Sequence, residues 1–246
     1  MVFKKEFMNS VGKNNEFERI RWLKKTLKDL KPGLRILDAG AGEQKFKPFC
    51  AHLDYVSQDF GQYDGKGNTK GLQTGTWDQS KINIVSDISS IPEPNGSFDV
   101  IMCIEVFEHL PDPLLAIKEF HRLLKNGGLL IITAPFCSLT HYAPYHYTSG
   151  FNSYYYERHL HDTGFEHLEI EANGNFFEFI AQEVRRIPAV ADTYCKGRIN
   201  IFEKVLLILI LKLLEKFSKK DMGSSELLCF GYHIHARKLC SEAFKE

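Results

Sequence analysis

Three aspartates are spaced along the chain as a ligand-binding set. Asp38 closes the run Arg35-Ile36-Leu37, Asp59 closes Tyr55-Val56-Ser57-Gln58, and Asp87 follows Ile82-Asn83-Ile84-Val85. Each run reads as a strand. In an open α/β sheet the carboxyl ends of strands form the ligand crevice, so the three acids would line it. Asp38 leads into Ala39-Gly40-Ala41-Gly42, where glycines let the backbone turn and pass close to a ligand. A dinucleotide fingerprint fits only in part. Asp59 follows Gly42 by 17 residues (59 − 42), but Lys45 stands at the third glycine position,. Three carboxylates would also repel a dinucleotide's phosphates. They suit a ligand with an amino group, a ribose diol and an exocyclic amine. The plain alternative for Asp59 and Asp87 is turn formation or helix capping, which Asp favours. A second chemical segment, Ala134 to Tyr147, carries His141, His146 and several aromatic residues. Aromatic walls with a few polar groups are what a small-molecule pocket needs. The spacing of these histidines and Cys137 matches no zinc pattern.

The elements that must position these residues alternate between strand and helix. Phe17, Ile20, Leu23, Leu27 and Leu30 recur near helical spacing, predicting a helical lead-in over 1–31 that Lys31-Pro32-Gly33 stops. Strands are expected at 35–38, 55–59, 82–85, 98–104, 129–133, 165–172 and 227–236. Helices are expected at 113–124, 154–162, 176–186 and around Val205. This pattern predicts a Rossmann-like α/β fold, with a seven-stranded, mostly parallel sheet, helices on both faces and an antiparallel last strand. Residues 61–80, rich in Gly, Asn, Thr and Gln, read as a long loop. Residues 175–226 read as a helical insertion within a single domain spanning 1–246.

Taken in order, these stretches resemble the class I S-adenosylmethionine-dependent methyltransferases, especially the group with a Glu-x-x-Glu-His segment after the fourth strand. The matching stretches are Ile36 to Gly42, Tyr55 to Asp59, Asp87-Ile88 with Ile91-Pro92, Ser97 to Ile101, Glu105-Val106-Phe107-Glu108-His109-Leu110, and Leu123 to Gly128. S-adenosylmethionine has no phosphate and carries a positive sulfonium, which suits the three acids. The resemblance implies that Asp38 holds its ammonium, partly through water, and that Gly40, Ala41 and Gly42 pass beneath it. It implies that Asp59 accepts both ribose hydroxyls, that Asp87 accepts from the adenine amine beside Ile88, and that Ile104 and Glu105 close the methionine side. Methyl transfer to a hydroxyl requires positioning and removal of a proton. His109 is the first candidate base, with His141 and His146 as alternatives. In some relatives the Glu-x-x-Glu-His residues bind a divalent cation, and Glu105, Glu108 and His109 match that set. The expected reaction is O-methylation of a small-molecule or glycan-like acceptor. The alternatives are a cofactor-binding scaffold without catalysis and a nucleotide-linked oxidoreductase.

Composition bounds the partners. The chain of 246 residues has 31 basic and 31 acidic side chains and no net charge, which argues against binding nucleic acid mainly through phosphates,. Six cysteines form no CxxC pair, and Cys103 and Cys137 are expected as buried thiols,. That suits a reducing cytoplasm. Met1 to Ser10 lacks the apolar core of a secretory signal. The apolar run Val205 to Leu211, bordered by lysines, is too short to span a bilayer. It reads as a core helix, a partner surface or a helix lying on a membrane surface.

Overall fold

Beyond Asp99 the run Val100–Ile104 is apolar on both faces, so it must be covered on both sides. The computed structural model, which describes residues 10–240, supplies that cover. Its seven strands are β1 (Arg35–Ala39), β2 (Asp54–Asp59), β3 (Ile84–Val85), β4 (Phe98–Ile104), β5 (Leu124–Pro135), β6 (Phe165–Asn173) and β7 (Gly231–Lys238). Its helices are α1 (Asn15–Lys28), α2 (Pro113–Leu123), α3 (Ser153–Asp162), α4 (Phe176–Tyr194) and α5 (Ile201–Ser218). The strands form one sheet in the order β3-β2-β1-β4-β5-β7-β6. The first five pair in parallel, and β7 runs antiparallel to β5. This is the expected Rossmann-like sheet with an antiparallel last strand.

By its contacts the chain forms two compact units. One takes residues up to Ile20 together with Ala172–Phe230; the other takes Arg21–Glu171 with the chain from Gly231. In the larger unit, Leu23 and Leu27 of α1 pack with Ile36, Val100, Met102 and Ile131. In the smaller one, Val11, Ala181 and Leu211 form a separate core. Polar residues start the helices where their side chains can satisfy free N–H groups. Asp112 accepts from Leu114 N, Asn152 from Tyr155 N and Asn175 from Glu178 N, while Asn200 and Glu203 form a reciprocal capping box.

Several boundaries differ from expectation for local reasons. The third strand keeps only Ile84 and Val85, because the Asn83 side chain accepts from Ser57 N and Oγ and so takes the ladder's place. The fifth strand begins at Leu124 rather than 129, since Leu124 already pairs with Phe98 before the register shifts. The last strand begins at Gly231 because residues 224–226 form a short 3-10 turn. Helix α4 continues through Pro188 to Tyr194. Cys103 is buried in β4, but Cys137 is exposed, because it falls beyond the end of β5. The lead-in is helical from Asn15; residues 1–9, including the expected lack of a signal, lie outside the described residues.

Ile101 is fully buried at the centre of β4, between β1 and β5. Ile101→Ala is expected to cost about 2–5 kcal/mol through lost burial and a residual cavity. Urea unfolding followed by circular dichroism measures this.

Candidate active site

Strands β1, β2 and β4 end side by side, and their outgoing loops enclose a cavity of about 390 Å³. That is the size range of a small-molecule site. Gly40, Asp59, Asp87, Ile88, Glu105 and His109 reach its wall. The other expected site residues, Asp38, Ala41, Gly42, Ile104, His141 and His146, do not form that wall.

Gly40 has φ +77°, and a Cβ there would lie 2.5 Å from Val106 Cγ2. The position therefore admits only glycine without displacing the chain after β4. Gly40 N and Ala41 N both donate to Gln58 O, and Gly42 N donates to Asp59 Oδ2 at 2.9 Å. Asp59 Oδ1 accepts from Gly61 N and from Gln79 Nε2, each at 2.9 Å. Asp59 thus ties the turn after β1 to both ends of the 61–80 loop. Asp87 is exposed and accepts from Ser89 N and Oγ, bonds that lower its pKa. Its turn-forming role and its place on the cavity wall coexist.

Asp38 is almost wholly buried and takes a hydrogen bond from Tyr55 Oη at 2.6 Å. Burial raises its pKa to about 7, against the lowering effect of the tyrosine and with help from the Asp59 charge. A carboxyl with this environment is short of a cation. Ile104 is a core residue of the same strand set.

After β4 the chain turns sharply. Glu105 adopts φ +57°, rare for a residue with a side chain,. Glu105 N donates to Thr133 O, and Thr133 Oγ1 donates to Glu105 Oε1 at 2.9 Å. The turn Phe107–His109 then buries Glu108 and directs His109 at the cavity. His109 Nδ1 bonds to Tyr145 O at 2.5 Å; a carbonyl only accepts, so Nδ1 carries the proton and Nε2 keeps its lone pair,. His141 Nδ1 is fixed in the same way on Leu139 O at 2.8 Å. Both Nε2 atoms lie 3.6 Å from Glu108 Oε1. Glu108 Oε2 and His109 Nε2 are buried without a hydrogen-bond partner among the described residues.

The electrostatics separate the three histidines. Burial, with repulsion from His141 and His146, pushes His109 down to about 3, so it is neutral. Burial would also lower His141, but the Glu108 carboxylate outweighs it and raises the pKa. His146 is lowered by burial and by His141, and its Nε2 lies 3.2 Å from Ser138 Oγ. The carboxyl of Glu108 is itself raised by burial, against the opposing pull of His141.

Glu108, His109 and His141 present one ligand atom each within 4.8 Å of one another. This set differs from the Glu105, Glu108 and His109 expected from sequence, because Glu105 turns toward Thr133. The donor set fits a divalent cation: one carboxylate and two imidazoles whose Nδ1 protons are already committed to backbone carbonyls. The buried, unpartnered atoms of Glu108 and His109 point to the same fit.

The 61–80 loop supplies residues that composition did not reveal. Tyr63 and Trp77 reach the cavity wall with Phe60, Tyr142, Tyr145 and Tyr147. Tyr63 stacks on Tyr142, which also stacks on His109 and meets Trp77 and His141 edge-on. The loop is held by backbone bonds to the segment after β5: Leu72 N to Thr140 O, Tyr142 N to Leu72 O and Asn68 N to Ala143 O. A Cβ on Gly67 would meet Ala143 O at 2.0 Å, which explains a glycine there. An isolated Trp77 in a polar stretch was the one sequence signal of this role.

A family model described as "Methyltransferase domain" matches residues 13–179. The chain belongs to this family of S-adenosylmethionine-dependent methyltransferase domains. Part of it is 33% identical over 104 residues to a ubiquinone biosynthesis O-methyltransferase of Xanthomonas oryzae, covering 41% of this chain and 43% of that one. The Xanthomonas campestris enzyme of the same name is 32% identical over 105 residues, covering 42% of this chain and 43% of that one. The chain thus spans under half the length of these curated relatives. Among solved structures, the [4+2]-cyclase SpnF is 20% identical with TM-score 0.55, covering 96% of this chain and 86% of that one. An S-adenosylmethionine-dependent methyltransferase from Archaeoglobus fulgidus is 20% identical with TM-score 0.53, covering 90% and 92% respectively. These two likenesses concern the fold.

The raised Asp38 pKa has a measurable sign. Between about pH 4 and pH 7 the folded chain keeps a proton that the unfolded chain, ordinarily titrating at 3.8, has released. Stability from this site therefore falls as pH rises through that window and stays low above it. Asp38→Asn is expected to unfold at a higher temperature than the unmutated chain at pH 8, with a smaller gap at pH 5. Thermal unfolding without ligand at the two pH values checks it.

Proposed function

We propose that the chain transfers a methyl group from S-adenosylmethionine to a hydroxyl of a small aromatic acceptor. The observation that carries this reading is the placement of His109 Nε2, unprotonated and unpartnered, at the wall of an aromatic-lined cavity that also contains Asp59 and Asp87. The partial likeness to ubiquinone biosynthesis O-methyltransferases supports an oxygen acceptor. Aromatic side chains on the wall favour a planar acceptor over a glycan,.

The cofactor roles follow the residues' positions. Asp59 would accept from the ribose hydroxyls, with the Gln79 amide giving way to one of them. Asp87 and Ile88 would meet the adenine. Asp38, short of a cation, would answer the ammonium, partly through water. Gly40, Ala41 and Gly42 would form the floor, and Ile104 and Glu105 the methionine side. In the reaction the acceptor oxygen attacks the methyl carbon as the C–S bond breaks, leaving S-adenosylhomocysteine. The hydroxyl proton passes to His109 Nε2, and the imidazolium formed is stabilised by Glu108. Tyr145 O holds the ring in place throughout. His141 stays paired with Glu108, and His146 supports His141 through ring contact. A divalent cation held by Glu108, His109 and His141 would occupy the Nε2 lone pair, so in that form activation of the hydroxyl would come from the cation lowering its pKa in place of proton transfer to His109,.

The described residues read as one methyltransferase domain, with α1 as its helical lead-in and a helical insertion at about 175–226. Six free cysteines suit a reducing cytoplasm,.

His109→Ala is expected to lower kcat for a catechol-type acceptor by about 10²–10⁴-fold while leaving S-adenosylhomocysteine affinity within a few-fold. Transfer of a labelled methyl group and calorimetric titration measure the two quantities. Binding of S-adenosylhomocysteine with no acceptor methylated would leave a cofactor-binding scaffold. Removal of divalent cations by a chelator, followed by add-back, tests the cation site. Unchanged methyl transfer rates would exclude a role for it.

A further inference from the structure

Helix α5 is apolar in the wrong direction for a core element. Its buried side is narrow: Leu211 is the one residue of α5 that is buried, packed with Val11 and Ala181. The opposite side leaves Phe202, Leu206, Leu209 and Leu213 exposed, with Phe202 at 83%. Ile187 and Val190 of the packed neighbour α4 are exposed as well. No helix among the described residues is long and apolar enough to cross a membrane.

Charge is sorted around this face. Residues 196–220 hold seven basic and two acidic side chains, a surplus of five in a chain whose net charge is zero. At about 100° per residue, Lys212 and Lys216 fall on the half-turn that carries Phe202, Leu206 and Leu209, Lys204 falls on the opposite side, and Lys219 and Lys220 follow the helix's end at Ser218,. Glu203 and Glu215 fall outside it, and Glu215 pairs with Lys219 at 2.9 Å. An apolar stripe with lysines on the same exposed half complements a surface that is apolar beneath and anionic on top. Two copies of the face would bring the like-charged lysine rows together.

We propose that α5, with the exposed residues of α4, docks this protein on an anionic lipid bilayer. Phe202, Leu206 and Leu209 enter the acyl boundary, and the lysines meet the headgroup phosphates, as an interfacial amphipathic helix does. The proposal stands apart from methyl transfer, since binding is read without cofactor or acceptor.

The test is sedimentation of the full chain with vesicles of phosphatidylcholine alone and of phosphatidylcholine with phosphatidylglycerol. Binding is expected to the anionic vesicles, at least tenfold stronger than to the neutral ones, and to weaken with salt. Replacing Phe202, Leu206 and Leu209 together by serine should lower it at least tenfold without shifting the unfolding midpoint. The Lys212→Glu, Lys216→Glu, Lys220→Glu variant should remove the preference for anionic lipid. Equal binding to both vesicle types, or no loss in either variant, would overturn the proposal. So would a vesicle-independent dimer that the serine variant dissolves.

Discussion

The carboxylate of Asp59 is the tie on which the site depends. One oxygen holds the glycine turn after β1 through Gly42 N; the other holds Gly61 N and the Gln79 amide. An acid at the end of β2 therefore already joins two loops at three points before any ligand arrives. Charge-assisted bonds of this kind are roughly twice as strong as neutral ones. Being nearly buried, the carboxylate also makes each bond costly to leave unmade,. A ligand hydroxyl that replaced Gln79 would keep the acceptor satisfied while freeing the loop's attachment at one point.

The roof of the cavity is a product of backbone pairing between two loops. Residues 68–72 meet 140–143 through main-chain bonds, so the 61–80 segment and the aromatic segment after β5 are fixed to each other. Side chains are then free to face the cavity. Trp77, Tyr63 and Tyr142 pack edge and face against one another, and Tyr142 carries the contact on to His109. The His109 ring is thus held by Tyr145 O at one nitrogen and by an aromatic face along its plane.

The site is a place of stored cost. Asp38 and Glu108 are buried and His109 is partly so, and burial disfavours the charged form of each. Glu105 adds a left-handed backbone at the end of β4. Such groups persist because the surrounding sheet and helices over-determine their positions. The rigid apolar strands of β4 and β5 provide that frame.

The sequence alone determined the sheet and its acids. Periodicity is a local property, so β1, β2 and β4 were legible within a residue, and Asp38, Asp59 and Asp87 fell at strand ends as expected. The glycines of 40–42 were legible for the same reason. Only the tertiary structure decided which of these face the cavity. Asp38 turns into the protein onto Tyr55, a contact between adjacent strands that no spacing reveals. Only the fold brought His141 beside Glu108 and His109 in place of Glu105, since 32 residues separate His109 from His141 (141 − 109). The polar 61–80 segment read as a loop, and it is one. Its place over the cavity rests on main-chain bonds to a distant segment, which side-chain identities do not encode. Burial follows the same division: Cys103 and Cys137 look alike in their neighbours, but one lies in a covered strand and the other beyond its end.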